Sequence, residues 1–65
     1  AVVTTVFEEY VPRHQREAVM LTYFGGHTFR EAARMLGAPE GTVKSRIRLA
    51  LGTLRRELAA EGLAP

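Results

Sequence analysis

An all-α fold of four helices is the expectation for this 65-residue chain, and three observations lead to it. Glycine and proline punctuate the sequence at Pro12, at Gly25-Gly26 and at Gly37-Ala38-Pro39, cutting it into four pieces of helical length,. The last and longest piece repeats its apolar residues at helical rather than alternating spacing,. The one run that favours a strand, residues 2–6, has no second strand to pair with,.

The first piece, residues 1–10, holds Val2, Val3, Thr4, Thr5 and Val6, all β-branched and poor helix formers,. Lack of a pairing strand favours a helix, and residues 1–11 stand as either a docked helix or the end of a linker from a preceding domain. The chain begins at Ala1, not methionine, and is expected to be part of a longer protein. The second piece runs from Pro12, suited to the first helical position because its missing N–H costs nothing there, to Phe24. Residues 18–24 are apolar apart from Thr22, which predicts a helix central to the core. The third piece is "TFREAARML", residues 28–36. Thr28 and Glu31 have the spacing of a capping box, and Gly37 can take the left-handed conformation that ends a helix.

The fourth piece runs from Pro39 to about Ala60. Wound at about 100° per residue, Val43, Ile47, Ala50, Leu51, Leu54 and Leu58 fall on one arc, the predicted core face,. Ser45, Arg48, Leu49, Gly52 and Arg56 fall opposite, with Thr42 and Arg46 on one shoulder and Lys44 and Arg55 on the other. The expected organisation is an N-terminal segment over 1–11, a domain over 12–61 and a tail over 62–65.

Composition excludes several classes of function. Hydrophobic residues make up 46% and charged residues 25% of the chain, as in an ordinary globular domain,. No apolar run is long enough to cross a membrane,. Cysteine is absent, which removes disulfides, thiolate zinc sites and cysteine nucleophiles together,. His14 and His27 lie in different pieces with no partner at ligand spacing, so no metal and no cofactor is expected,. Glu8 and Glu9 are adjacent on a helix and point apart, which removes a shared acid–base site. Ser45 has no base beside it, and no glycine set fits a phosphate loop. No enzyme is expected. Tyr10, Tyr23, Phe7, Phe24 and Phe29 read as core and staple residues rather than as base-stacking platforms,.

Charge is unevenly spread. Residues 1–40 hold four Arg and five Glu, a net of −1, whereas residues 41–65 hold five cations against Glu57 and Glu61, a net of +3. From Gly41 to Arg56 there is no acidic residue. A basic stripe on one helix fits a polyanion partner, but on charge alone a solvated helix face, which is what most charge runs are, is the stronger reading.

The spacing of the last two pieces narrows the choice. A short helix, a turn of about three residues and a longer helix with a basic outer face compose a helix-turn-helix, here over residues 28–58. Ala33 lies where the two helices must cross closely, Gly37 supplies the turn, and Val43 plugs the second helix onto the first. Such a second helix presents its N-terminal part to the major groove. Gly41 permits close approach of the backbone, Thr42 and Ser45 offer hydroxyls, and Lys44, Arg46 and Arg48 reach phosphates or guanine edges.

Residues 15–58, "QREAVMLTYFGGHTFREAARMLGAPEGTVKSRIRLALGTLRREL", closely resemble the C-terminal domain, region 4, of bacterial sigma-70 family factors, best of all the extracytoplasmic-function (ECF) group. The run "GTVKSR" is the most specific piece. The resemblance implies a four-helix domain with a C-terminal helix-turn-helix, of winged-helix-like or sigma region 4 type. It further implies double-stranded promoter DNA at the −35 element as ligand, the β flap of RNA polymerase core and an anti-sigma factor as protein partners, and a cytoplasmic location. On this resemblance Lys44, Ser45, Arg48 and Leu49 stand where base and phosphate contacts are made. Thr28, Phe29 and Arg30 stand near the phosphate backbone. Where many members carry arginines, this chain has Leu49 and Leu51. Leu51 falls on the core arc, whereas Leu49 is open to three readings: a contact with a thymine methyl, part of a patch covered by an anti-sigma factor, or an ordinary exposed leucine. Two other functions compete: a domain whose main role is protein interaction, and the output domain of a LuxR-type regulator, which shares "EGTVK" but lacks the later "LRREL".

Overall fold

The computed structural model describes residues 2–62, and the expected tail beyond Gly62 lies outside them. Four helices follow one another: α1 over Val2–Tyr10, α2 over Arg13–Val19 with a wider π turn continuing it over Met20–Phe24, α3 over Phe29–Leu36, and α4 over Glu40–Ala60. There is no strand among the described residues, so the all-α expectation holds. The molecule measures 36 × 19 × 19 Å. At 1.5 Å per residue α4 is about 31 Å long, so this one helix spans the long dimension. Helices α1, α2 and α3 all pack against it.

The core is built from small side chains. Val6 and Val11 come from α1 and the joint after it, Ala18 and Val19 from α2, Ala32 and Ala33 from α3, and Val43, Ile47 and Ala50 from α4. Leu51 and Leu54 close over its edge half-buried, and Leu58 is half-buried farther along. The predicted core arc of α4 is therefore the observed one. Burial also explains α1: Val6 and Phe7 dock on the bundle, and tertiary packing overrides the strand preference of the β-branched run,. Arg16 fixes the joint between α1 and α2, its Nη1 donating to the carbonyls of Glu8 and Val11.

Three expectations need correction. Pro12 is the N-cap of α2, not its first helical residue: its backbone is extended, with φ −58° and ψ 151°. The segment 18–24 is only partly central. Ala18 and Val19 are buried, but Met20, Tyr23 and Phe24 face outward, because a helix can turn only part of a continuous apolar run inward,. The aromatic residues are likewise misplaced by the sequence reading. Tyr10, Tyr23, Phe24 and Phe29 are exposed, and only Phe7 packs on the core. A core of valine and alanine brings the helices too close together to enclose rings.

The π turn has a visible cause. The Thr22 hydroxyl donates back to the carbonyl of Ala18 at 2.8 Å, in the manner that bends helices. The N–H of Gly25 reaches the carbonyl of Met20 at 2.8 Å, a five-residue step.

Candidate nucleic-acid interface

The last two helices are joined with little freedom. Thr28 is the N-cap of α3: its Oγ1 accepts from the Glu31 N–H at 3.1 Å, and the Glu31 carboxylate accepts from the Thr28 N–H at 2.8 Å. This is the capping box predicted from the spacing. That backbone bond, then the Thr28 hydroxyl, then the charges of His27 and Arg34, hold the Glu31 carboxyl below the usual glutamate range. At its far end α3 stops at Gly37, which has φ 63° and ψ 37°. The Ala38 N–H returns to the Ala33 carbonyl at 3.0 Å and the Gly37 N–H to that of Arg34 at 3.3 Å, the paired bonds of a Schellman ending. Pro39 is extended and serves as N-cap of α4, with no side chain capping that helix start. Three residues thus turn the chain from α3 into α4, and Ala33 and Val43, both buried, press the two helices together.

The arc of α4 away from the core carries the predicted residues in three rows. Gly41, Ser45, Leu49 and Gly52 form the crest. Thr42 and Arg46, both half-exposed, lie on one shoulder. Lys44, Arg48 and Arg55, all exposed, lie on the other. On this second side α4 faces α3 and the end of α2 across a groove of about 440 Å³. Phe29 and Tyr23 form one wall of the groove, and Lys44, Arg48 and Arg55 form the other. Lys44 Nζ stands 5.6 Å from the centre of the Phe29 ring and 3.8 Å from the Glu40 carboxylate.

The structure therefore brings Phe29, Lys44 and Arg48 into one groove. It leaves Thr42 and Arg46 on the far shoulder. Thr28 has its hydroxyl engaged in the capping box, and Arg30 is exposed beside it on α3. Of the residues lining the groove, Tyr23, Ile47, Leu51, Gly52 and Arg55 lie outside the candidate set read from the sequence. Arg55 is eleven residues, or three turns, beyond Lys44, a period that places the two on one face. Tyr23 carries no such signal, since an aromatic in an apolar run reads as core.

Two features bear on what this face meets. Among the described residues no carboxylate lies within ion-pair distance of Arg46, Arg48 or Arg55, so these charges are not spent on the fold. Gly41 and Gly52 are helical, and a side chain would fit at either one: nothing approaches Gly41 within 4 Å, and only the tip of Arg56, at 3.8 Å, approaches Gly52. Glycine inside a helix costs about 0.5–1 kcal/mol relative to alanine, and internal packing gives no reason for it here. Among the described residues no three metal-ligating side chains cluster, and no helix is long and apolar enough to cross a membrane.

A second surface lies across α1, α2 and α3. It is a groove of about 510 Å³ floored by Phe7, Met20, Leu21, Met35 and Leu36, with Glu8, Arg13, Arg16 and Glu17 at its rim.

A three-residue turn between two tightly crossed helices, with unpaired cations along the outer side of the second, defines a helix-turn-helix domain. The comparison with known families is more specific. The family described as "Sigma-70, region 4" matches residues 9–54, and the chain belongs to it. Among curated relatives, the ECF RNA polymerase sigma factor RpoE of Cereibacter sphaeroides is 47% identical over 49 residues, covering 75% of this chain and 27% of that protein. The ECF RNA polymerase sigma factor SigK of Mycobacterium tuberculosis is 49% identical over 41 residues, 63% of this chain and 22% of that protein. The ECF RNA polymerase sigma factor EcfG of Rhodopseudomonas palustris is 36% identical over 62 residues, 86% of this chain and 34% of that protein. The chain thus spans between about a fifth and a third of the length of these relatives. No solved structure matches it.

Proposed function

We propose that this domain binds the −35 element of promoter DNA as region 4 of an ECF sigma factor directing transcription initiation in the cytoplasm. The observation that carries the reading is the outer side of α4. Unpaired arginines flank a crest of glycine and serine on the helix that follows the turn, in a chain of the sigma-70 region 4 family. In this reading the N-terminal half of α4 enters the major groove. Ser45, Arg48 and Leu49 face base edges, and Gly41 lets the groove wall approach. Lys44, Arg46 and Thr42 meet phosphates from either shoulder. Thr28, Phe29 and Arg30, at the start of α3, lie along the adjoining backbone, and the uncapped start of α4 favours a phosphate as well.

The protein partners are assigned on the same footing. The apolar groove across α1, α2 and α3 lies apart from the outer side of α4, so the domain has a surface for the β flap of RNA polymerase core that leaves DNA free to bind. An anti-sigma factor would compete for one surface or both.

Fluorescence anisotropy tests the DNA reading. The domain and Arg48→Ala are titrated against a duplex carrying the promoter upstream of the protein's own gene and against a scrambled duplex, at two salt concentrations. The expected result is preference for the promoter, a slope of log K against log salt of roughly −4 for four to five engaged cations, and a tenfold to hundredfold loss on substitution, on the order of one base contact. A folded domain that shows no preference even at low salt would exclude sequence reading by the isolated domain.

A further inference from the structure

Leu49 is the one large apolar side chain that α4 exposes: it is 55% accessible, while the other exposed large hydrophobic residues all lie before α4. Its helix neighbours are Ser45 and Arg46 one turn before and Gly52 and Thr53 one turn after, so no apolar side chain adjoins it along the helix. It takes no part in the core packing that absorbs Leu51 and Leu54. Ser45 and Gly52 are small, and a side chain at Gly52 would meet only the tip of Arg56. The crest beside Leu49 is therefore low except where the tip of Arg56 reaches over Gly52. Leu49 lies about 7.5 Å along the axis from Lys44, within the stretch that the DNA reading seats in the groove.

We infer that Leu49 selects thymine at one position of the bound site by packing on its 5-methyl group. The inference rests on the DNA reading above and deepens it. A leucine side chain has neither donor nor acceptor. Set against the acceptors of guanine or the amino group of cytosine, it would strip water from a polar edge and return no hydrogen bond. The thymine methyl is the one apolar group that a base presents in the major groove. Contact between the two removes about one methyl group's worth of apolar surface from water, which corresponds to about a fourfold change in affinity. Leu49 thus acts as a specificity residue through an apolar contact, beside the polar and charged contacts that the DNA reading gives Ser45 and Arg48.

The test uses the domain and DNA it selects for itself. Duplexes are enriched from a random library by binding to the domain. In the best of them each thymine is then replaced singly by deoxyuridine, which lacks only the methyl. Wild type and Leu49→Ala are titrated against every duplex by anisotropy, and circular dichroism checks that the variant is folded. The expected result is one thymine whose replacement weakens the wild type about fourfold. Leu49→Ala should lose the same factor on the thymine duplex and nothing more on the deoxyuridine one. Leu49→Met, which keeps an apolar reach, should restore part of the difference. If every replacement is neutral for the wild type, or if Leu49→Ala loses affinity equally on both duplexes, the inference fails while the DNA reading stands. If no sequence is enriched at all, sequence reading by this domain fails, and the inference with it.

Discussion

Thr28 and Glu31 bind each other twice, at 2.8 and 3.1 Å, and the consequence is measurable in acid. The Glu31 carboxyl is held low in the folded chain, so the folded state favours its ionised form. Its contribution to stability is complete above the ordinary glutamate range and disappears as pH falls through the lowered one. In urea titrations Glu31→Gln should therefore be less stable than wild type at neutral pH, and the gap should close as the solution is taken well into acid. A gap that stays constant with pH would mean that charge plays no part in the cap. Single residues such as these two were legible because capping chemistry is local: the hydroxyl, the carboxylate and the amides it serves lie within four positions of each other. Tyr23 and Phe29 were not legible, because their exposure depends on how closely α2, α3 and α4 approach, which no local pattern records.

At the scale of the element, two glycines with equally open surroundings should behave differently. Nothing stands within 4 Å of a side chain added at Gly37 or at Gly41, but Gly37 has φ +63° and Gly41 is helical. Gly37→Ala should cost about 1–2 kcal/mol through backbone strain at the end of α3, read as a lower urea midpoint. Gly41→Ala should leave that midpoint unchanged or slightly raised. It should nonetheless weaken promoter binding several-fold if the groove wall approaches this point, and unchanged binding would show that it does not. The elements themselves were read with uneven success. The two arcs of α4 follow from its period alone, since 21 residues repeat the pattern often enough to leave no doubt about phase. Helix α1 is too short and too β-branched for that, and Val6 and Phe7 make it a helix by docking. The π turn after Val19 accompanies one threonine hydroxyl bending back to Ala18, a choice of partner that no residue pattern along the chain announces.

The whole molecule is held by few atoms. Among the described residues its buried side chains are valines, alanines and the single isoleucine, Ile47. A domain of this size commonly has only about 3–5 kcal/mol of stability. Ile47→Ala removes the largest of these side chains at about 2–4 kcal/mol. The melting midpoint should drop by on the order of 10–25 °C, checked by circular dichroism, and binding of any partner should weaken as the folded fraction falls. A shift of only a few degrees would mean that the half-buried leucines, not the centre of the bundle, hold α4 in place. The candidate interface was partly legible at this scale. That its α4 residues share one outward side follows from the helical period, and the pairing of Lys44 with Phe29 across the groove emerges only when α3 and α4 are folded together.

Because the residues that hold α4 and those that face outward interleave along one helix without sharing positions, the two can change independently. Positions 45, 48 and 49 lie outside the buried core, and surface changes usually alter stability by less than about 0.5 kcal/mol. Under the proposed DNA reading, a lineage carrying this domain can therefore duplicate it and give each copy a new preference in a few steps, with every intermediate still folded. Changes at 43, 47 or 50 offer no such route. Each would be removed by selection before any difference in preference could be tried.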